Sequence, residues 1–347
     1  MQERSVIALV SAPSGFAGAV GPFPVETPWW NHVEPVNAAL EELLGVRTSV
    51  LRLISTTGRQ AHGGTVTYHV EAHGEPDRTA LHPGERPSCD APHRMQWARL
   101  GGPCELVEWA EGHITRTGPA VQVRTWNLAS IHRLPTAAGP VWLKAVAPFA
   151  ADEAAVIGVV AAHDPALVPE VLASGPGRLL LADAPGEDCW DPSPELIRSV
   201  VPRLVAAQAA LADTKPVLGR RPVPMPSFGL PDTLVHGDFH PGNWRTSEVV
   251  LDWADALWGH PSIDAARLIE YTDAHLHPLI VDVWAGAWRE HFPKSDPVAA
   301  LKVARPAARL LNAVRYQEFL DNIEDSERVY HEGDPAEELR AALSLTG

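Results

Sequence analysis

Apolar positions along this chain fall into two regimes, short alternating runs through much of the first half and recurrences every three or four residues through the second. Residues 5–11 and 17–20 alternate about a Pro13-Ser14-Gly15 turn and predict two strands. After a Pro-rich loop ending in Trp29-Trp30, residues 33–44 predict a helix with Val36, Leu40, Leu43 and Leu44 on its apolar face. Asn31 is placed to cap that helix and Gly45 to stop it. Residues 47–55 and 65–72 read as two more strands, and 73–103, rich in Pro, Gly, Arg and His, reads as a linker. Residues 1–103 therefore predict a small N-terminal α/β domain, to which the pattern assigns no role.

From residue 104 the runs predict strands at 104–109, 121–126, 130–134 and 141–147, joined by short links that imply an antiparallel sheet. Residues 152–162 predict a helix with Asp152 and Glu153 in its first turn, where negative charge suits the dipole. A further apolar strand at 178–183 runs into the loop 184–188. Beyond it Leu196, Val200, Leu204, Ala207 and Leu211 keep helical spacing, with Pro202 as a candidate kink. A Pro-rich loop, 215–233, precedes helices near 261–274, 279–291, 297–323 and 335–344. The division this predicts is 1–103, a β-rich 104–183 and a helical 184–347.

The dense polar chemistry lies in one stretch, 234–264. Leu234 and Val235 lead in as an apolar run, Pro241-Gly242 marks a turn, and 249–251 predicts a short strand delivering Asp252. An aspartate, Asp238, an asparagine five positions on, Asn243, and a second aspartate after a hydrophobic run, Asp252, match the arrangement by which kinases move a phosphoryl group. Hard oxygen ligands suit Mg²⁺, and a carboxylate beside them can receive a hydroxyl proton.

Composition narrows the partners. The 347 residues, 45% apolar, are enough for one large or two smaller cores. A formal charge of −15 disfavours nucleic acid and anionic membrane, which are bound by neutralising phosphates. No run reaches the length of a membrane span, and the N-terminus reads as a first strand instead of a signal peptide. Cys89, Cys104 and Cys189 lie far apart, which fits a cytoplasmic protein without disulfides or a zinc site. Of 28 basic residues four are lysines, and the first, Lys144, stands inside the apolar run 141–146. A point-charge ammonium there suits nucleotide phosphates.

The motifs His236-Gly237-Asp238-Phe239-His240-Pro241-Gly242-Asn243, Val250-Leu251-Asp252-Trp253 and Pro261-Ser262-Ile263-Asp264 give residues 105–330 a resemblance to the aminoglycoside phosphotransferase and choline-kinase-like family of small-molecule kinases, in a form similar to actinobacterial members. The resemblance implies an α+β, bilobal protein-kinase-like fold, an antiparallel β N-lobe and a mostly α C-lobe, behind the α/β N-terminal domain. It implies Asp238 as the catalytic residue, Asn243 and Asp252 as Mg²⁺ ligands, Lys144 as the phosphate-binding lysine with Glu153 its partner, and His236 and Asp264 as supports of the catalytic loop. Ser130, in the place of a glycine-rich loop, and Leu181 and Asp183, at the hinge, are the further nucleotide-binding candidates. The donor is ATP or GTP. The acceptor is a small hydroxylated molecule, an antibiotic or related natural product of aminoglycoside or nucleoside type, or else a metabolic sugar or amino sugar. Its candidate contacts are His240, Asp273, Tyr316, Asp321 and Glu324. A catalytically weak pseudokinase is a second reading, and a metal hydrolase using His236, Asp238, His240 and His260 a third. A faint similarity of Glu41-Glu42 to the Nudix motif fails on spacing, so that pair reads as a solvated helix face. The oligomeric state is not encoded in any pattern of this chain.

Overall fold

The structure is a computed structural model that describes residues 4–88, 90–212, 214 and 223–345. Cys89 and much of the predicted 215–233 loop lie outside the described residues. The chain divides into two compact units. Unit 1 takes the described residues up to Ala147 together with Leu172–Leu181 and Glu318–Glu332; unit 2 takes Pro148–Val171, Ala182–Gln317 and the described residues from Gly333 onward.

In unit 1, β1 (Arg4–Ala12) and β2 (Gly15–Val25) form a hairpin, α1 (Glu34–Leu44) follows, and β3 (Thr48–Thr56) and β4 (Gly64–Ala72) form a second hairpin. The sheet order is β2-β1-β4-β3, with β1 parallel to β4 and the hairpin pairs antiparallel. Val36, Leu40 and Leu44, spaced one turn apart on α1, are fully buried in a core shared with Val6, Val10, Val50, Val66 and Val70 from the strands. Each such residue contributes roughly 1.5–3 kcal/mol by leaving water. Gly45 ends α1 in the left-handed region as expected. The start differs from expectation: Val33, not Asn31, is the capping residue, no side chain caps it, and Pro35 in the first turn presets the helical φ.

A larger correction concerns α2 (Gly102–Glu111), which covers the segment predicted as a strand at 104–109. Its alternation is real but short, and Pro103 in the first turn with Leu106 and Ala110 buried four residues apart makes the helical solution the one that hides apolar surface. The second sheet follows as β5 (Val121–Thr125), β6 (Ala129–Thr136) and β7 (Gly139–Val146), antiparallel in sequence. After α3 (Glu153–Ala161) it is completed by β8 (Val171–Gly175), unread in the sequence, and β9 (Arg178–Ala182), in the order β5-β6-β7-β9-β8. Gln122 on β5 mimics a backbone partner for β3, accepting from Val50 N at 2.9 Å and donating to Val50 O at 2.8 Å. A sheet edge that would otherwise be open is thereby closed by a side chain.

Unit 2 is helical. Its elements are α3, α4 (Pro194–Leu211), the short pair β10 (Thr233–Val235) and β11 (Leu257–Gly259), α5 (Ser262–Glu270), α6 (His277–His291), most of α7 (Pro297–Asn322) and α8 (Asp334–Ser344). Pro202 sits inside α4 without ending it. The predicted strand at 249–251 reduces to a single bridge between Val250 and Trp244. Among the described residues no helix is long and apolar enough to cross a membrane.

Candidate active site

The site in unit 2 grows from the β10–β11 pair, in which Leu234 faces Trp258 and Val235 faces Leu257. Past Val235 the chain must turn sharply. Gly237 does so at φ 83°, and a Cβ there would collide with the carbonyl of Asp255. The turn's two exposed amides are collected by Asp264, which accepts from His236 N at 2.9 Å, Gly237 N at 3.0 Å and the Gln208 side chain at 2.8 Å. Burial pushes the Asp264 carboxyl up to about 7 against the pull of those three bonds. His236 locks the other side of the turn: its Nδ1 accepts from Asp238 N at 3.2 Å, so its Nε2 is the nitrogen that donates to Leu251 O at 3.0 Å. Burial lowers its pKa and keeps that tautomer neutral.

Asp238 is the convergence point. Arg267 donates to its Oδ1 from Nε at 3.0 Å and Nη2 at 2.9 Å, and Arg315 stands 3.8 Å from the same oxygen. His240 Nε2 and Asn243 Nδ2 each lie 3.3 Å from Oδ2. Burial alone would raise the carboxyl; the His240 hydrogen bond and the Arg315 and Arg267 charges outweigh it and hold the group well below the usual carboxylate range. The arginines are themselves fixed, Arg267 by Glu270 at 2.8 Å and Arg315 by Asp255 at 2.9 Å and the Gly237 carbonyl at 3.2 Å.

Asn243 and Asp252 are coupled through the backbone, since Asn243 O accepts from Leu251 N at 2.7 Å. Because Asn243 spends its amide N–H on Asp238, its Oδ1 is the atom left to meet a cation. Asp252 is exposed and held at φ 61°, a strained setting for a non-glycine residue. The turn after it is pinned by Glu153, whose Oε1 accepts from Trp253 N at 3.1 Å, and by Ala151, whose N–H meets Ala254 O at 2.8 Å. Two hard oxygens fit Mg²⁺, which keeps waters and takes its remaining ligands from substrate phosphates.

An aromatic stack flanks the aspartate. His240 lies between Trp190, 5.3 Å away at 22°, and Tyr271, 4.7 Å away at 23°, and the Arg267 guanidinium caps Tyr271 at 4.4 Å. The Trp190 indole occupies the space a Cβ at 242 would need, which accounts for Gly242, and Trp190 remains 62% exposed.

Of the residues singled out from sequence, His236, Asp238, His240, Asn243, Asp252 and Asp264 come together here with Glu153, and Tyr316 is close enough for the Asp238 and Arg267 charges to act on it. Asp273 is 81% exposed beside His275. Asp183 is exposed in unit 2. Lys144, Ser130, Leu181, Asp321 and Glu324 belong to unit 1. There Lys144 is buried on β7 opposite Ile131, Ser130 is buried opposite Ala145, and Glu324 pairs with Arg52 and Arg94. Arg267, Arg315, Trp190 and Tyr271 were not read from the sequence. Arg267, one turn beyond Asp264 on the same helix, carried the one local signal. The metal-hydrolase reading fails: His260 is committed to Ser227 O and Ser262, and no group of three His, Cys, Asp or Glu able to hold a metal occurs among the described residues.

The family described as the phosphotransferase enzyme family, APH, matches residues 217–301, the segment holding Asp238, Asn243, Asp252 and Asp264. A comparison with curated proteins finds no match. Among solved structures, a choline/ethanolamine kinase family protein from Mesorhizobium loti is 17% identical, with 69% of this chain and 98% of that one covered at a TM-score of 0.44. A macrolide 2'-phosphotransferase from Brachybacterium faecium is 16% identical, with 70% and 97% covered at 0.44. An aminoglycoside phosphotransferase, APH(4)-Ia, is 16% identical, with 70% and 98% covered at 0.46. Within the segment that the family model matches, the motif order and the site geometry coincide.

Proposed function

We propose that this chain is a phosphotransferase that moves the γ-phosphoryl group of ATP or GTP to a hydroxyl of a small ring-bearing molecule, with Asp238 receiving the hydroxyl. The observation that carries the reading is the convergence on Asp238 of two arginines, His240 and Asn243, with Leu251, the residue before Asp252, bonded to the Asn243 carbonyl. A carboxylate held so far below its usual range is a weak base, so Asp238 orients the hydroxyl and takes its proton only as the bond to phosphorus forms. The 3.3 Å contacts of its Oδ2 to His240 and Asn243 are the ones an arriving hydroxyl can replace.

Asn243 Oδ1 and the Asp252 carboxylate would hold Mg²⁺, which neutralises phosphate charge when bound. Glu153 steadies Asp252 through Trp253 N, and Lys144 would meet the nucleotide phosphates. The exposed Trp190 face and the edge of Tyr271 offer stacking surface for the acceptor's ring. The motif resemblance favours an antibiotic or related natural product, with resistance or self-protection as its purpose.

The test is a screen of ATP and GTP against aminoglycosides, macrolides, nucleosides and amino sugars, with product mass read by mass spectrometry. One acceptor gains a phosphoryl group, and Asp238→Asn lowers its turnover by about 10²- to 10⁴-fold. Nucleotide binding without transfer to any acceptor, or full turnover in that variant, would overturn the proposal.

A further inference from the structure

Unit 1 contains a cavity of about 660 Å³, built from α1, α2, the start of β3, the residue after β4, and β5 and β6. That volume is in the range of small-molecule sites. Nothing in the phosphoryl-transfer reading uses it.

Its wall is acidic. Glu34, Glu41, Glu108 and Glu111 line it against two guanidiniums, Arg47 and Arg116. Arg47 pairs with Glu41 at 3.4 Å, Arg116 with Glu111, and Glu34 with Arg133 at 2.8 Å. Glu108 has no ion-pair partner among the described residues, so the wall carries a carboxylate with nothing to balance it. That favours a cation over an anion.

The floor holds a second, independent signal. His132 on β6 is 2% exposed, and neither of its ring nitrogens has a hydrogen-bond partner. Native structures seldom leave buried polar atoms unpaired without a ligand or function to match. Burial and the neighbouring His73 push its pKa down to about 4, so the ring is neutral, with one nitrogen that gives a hydrogen bond and one that takes one. A hydroxyl, which can give or take a hydrogen bond, complements whichever of the two nitrogens it meets. Beside it His73 links Ser49 Oγ at 2.9 Å and Cys104 Sγ at 3.4 Å, adding a polar ledge. A metal is not the occupant these residues suit, since no three-ligand group occurs among the described residues.

We infer that this cavity binds a small hydroxylated amine, its hydroxyl paired with the His132 ring and its ammonium met by Glu108. The site has a direct mechanical neighbour. His132 lies opposite Leu143 on β7, and Ile131 opposite Lys144, so the ligand would sit against β6, the strand paired with the one that carries Lys144. Occupancy would stiffen that strand pair.

The experiment uses the full chain with ¹⁵N-labelled histidine rings and three probes at millimolar concentration: glucosamine, N-acetylglucosamine and glucuronate. Glucosamine shifts the His132 ring signals saturably, N-acetylglucosamine does so more weakly, and glucuronate leaves them in place. His132→Phe abolishes saturable glucosamine binding measured by calorimetry, and without ligand it melts no lower than wild type because two unpaired nitrogens are gone. Should that variant not fold, Glu108→Gln on the rim still decides: it weakens glucosamine about 2- to 5-fold and leaves N-acetylglucosamine unchanged. Equal binding of glucuronate, no shift of His132 with any probe, or unchanged glucosamine binding in both variants would overturn the assignment.

Discussion

Asp238 and Glu324 are each gripped by two arginines, and they do opposite things. In unit 2, Asp238 is held by Arg267 at 2.9 Å with Arg315 at 3.8 Å; in unit 1, Glu324 is held by Arg94 at 2.8 Å and Arg52 at 3.3 Å. The Asp238 side chain keeps 17% of its surface open, and its second oxygen has only long bonds to His240 and Asn243. Glu324 is 6% exposed and each oxygen meets a guanidinium. Its arginines also reach the backbone of the 73–103 segment, at Ser88 from both and at Ala98 from Arg52. The linker-like stretch is thus strapped down by a buried ion cluster, and His69 beside it is driven to about 3 by burial and by those same arginines. An arginine-clamped carboxylate marks a site only where an oxygen is left with bonds weak enough to surrender.

That contrast can be broken in three ways. Glu324→Gln leaves Arg52 and Arg94 buried without a carboxylate and costs about 3–5 kcal/mol, seen as a lower denaturation midpoint with turnover per folded molecule unchanged. Arg267→Met removes a smaller amount of stability, about 1–3 kcal/mol, because Asp238 keeps Arg315 and His240. It also lets the Asp238 pKa rise toward its ordinary value. Activity that needs the carboxylate then fails at a higher pH, so the acid limb of the kcat/KM profile moves up. If that limb stays in place, Asp238 is not the group that titrates in the reaction.

The smallest effect is expected at Glu327, next to the Glu324 cluster. Its Oε1 accepts from Leu53 N at 2.7 Å, its Oε2 has no partner, and burial with the nearby Glu324 charge raises its pKa to about 8. The native state then holds a proton that the unfolded state, near 4.5, has released. Stability therefore falls as pH rises from about 4.5 to 8. Glu327→Gln, nearly isosteric with the protonated acid, leaves stability at pH 5 little changed and flattens that decline in denaturation curves taken across the window. A decline that persists undiminished assigns it elsewhere, to the other carboxyls that burial raises: Asp264, at about 7, Glu71 and Glu270.

Much of the candidate site's loop was legible because its determinants are local. The turn at Gly237, the spacing from Asp238 to Asn243 and the run before Asp252 depend on residues within a few positions of one another. Segments with strong single-period patterns, such as residues 65–72 and 194–211, also form the elements they predict. Residues 104–109 misled because six residues fit both periods, and what chose the helix was the burial of Leu106 and Ala110 together with Pro103.

The sequence by itself determined the chemistry on offer: an acidic chain with one dense polar stretch, the order of its motif residues and the alternation of its strands. Tertiary structure decided what that chemistry can do. Arg267 and Arg315 look like ordinary helix-surface arginines in a linear reading, since charge on a helix face is the common case. Only the packing of α5 and α7 against the loop turns both onto Asp238 and moves its pKa. The stack of Trp190 and Tyr271 on His240 likewise joins residues 50 and 31 positions away from it. Electrostatic and stacking energies depend on distance in space, and a pattern along the chain records distance only in sequence.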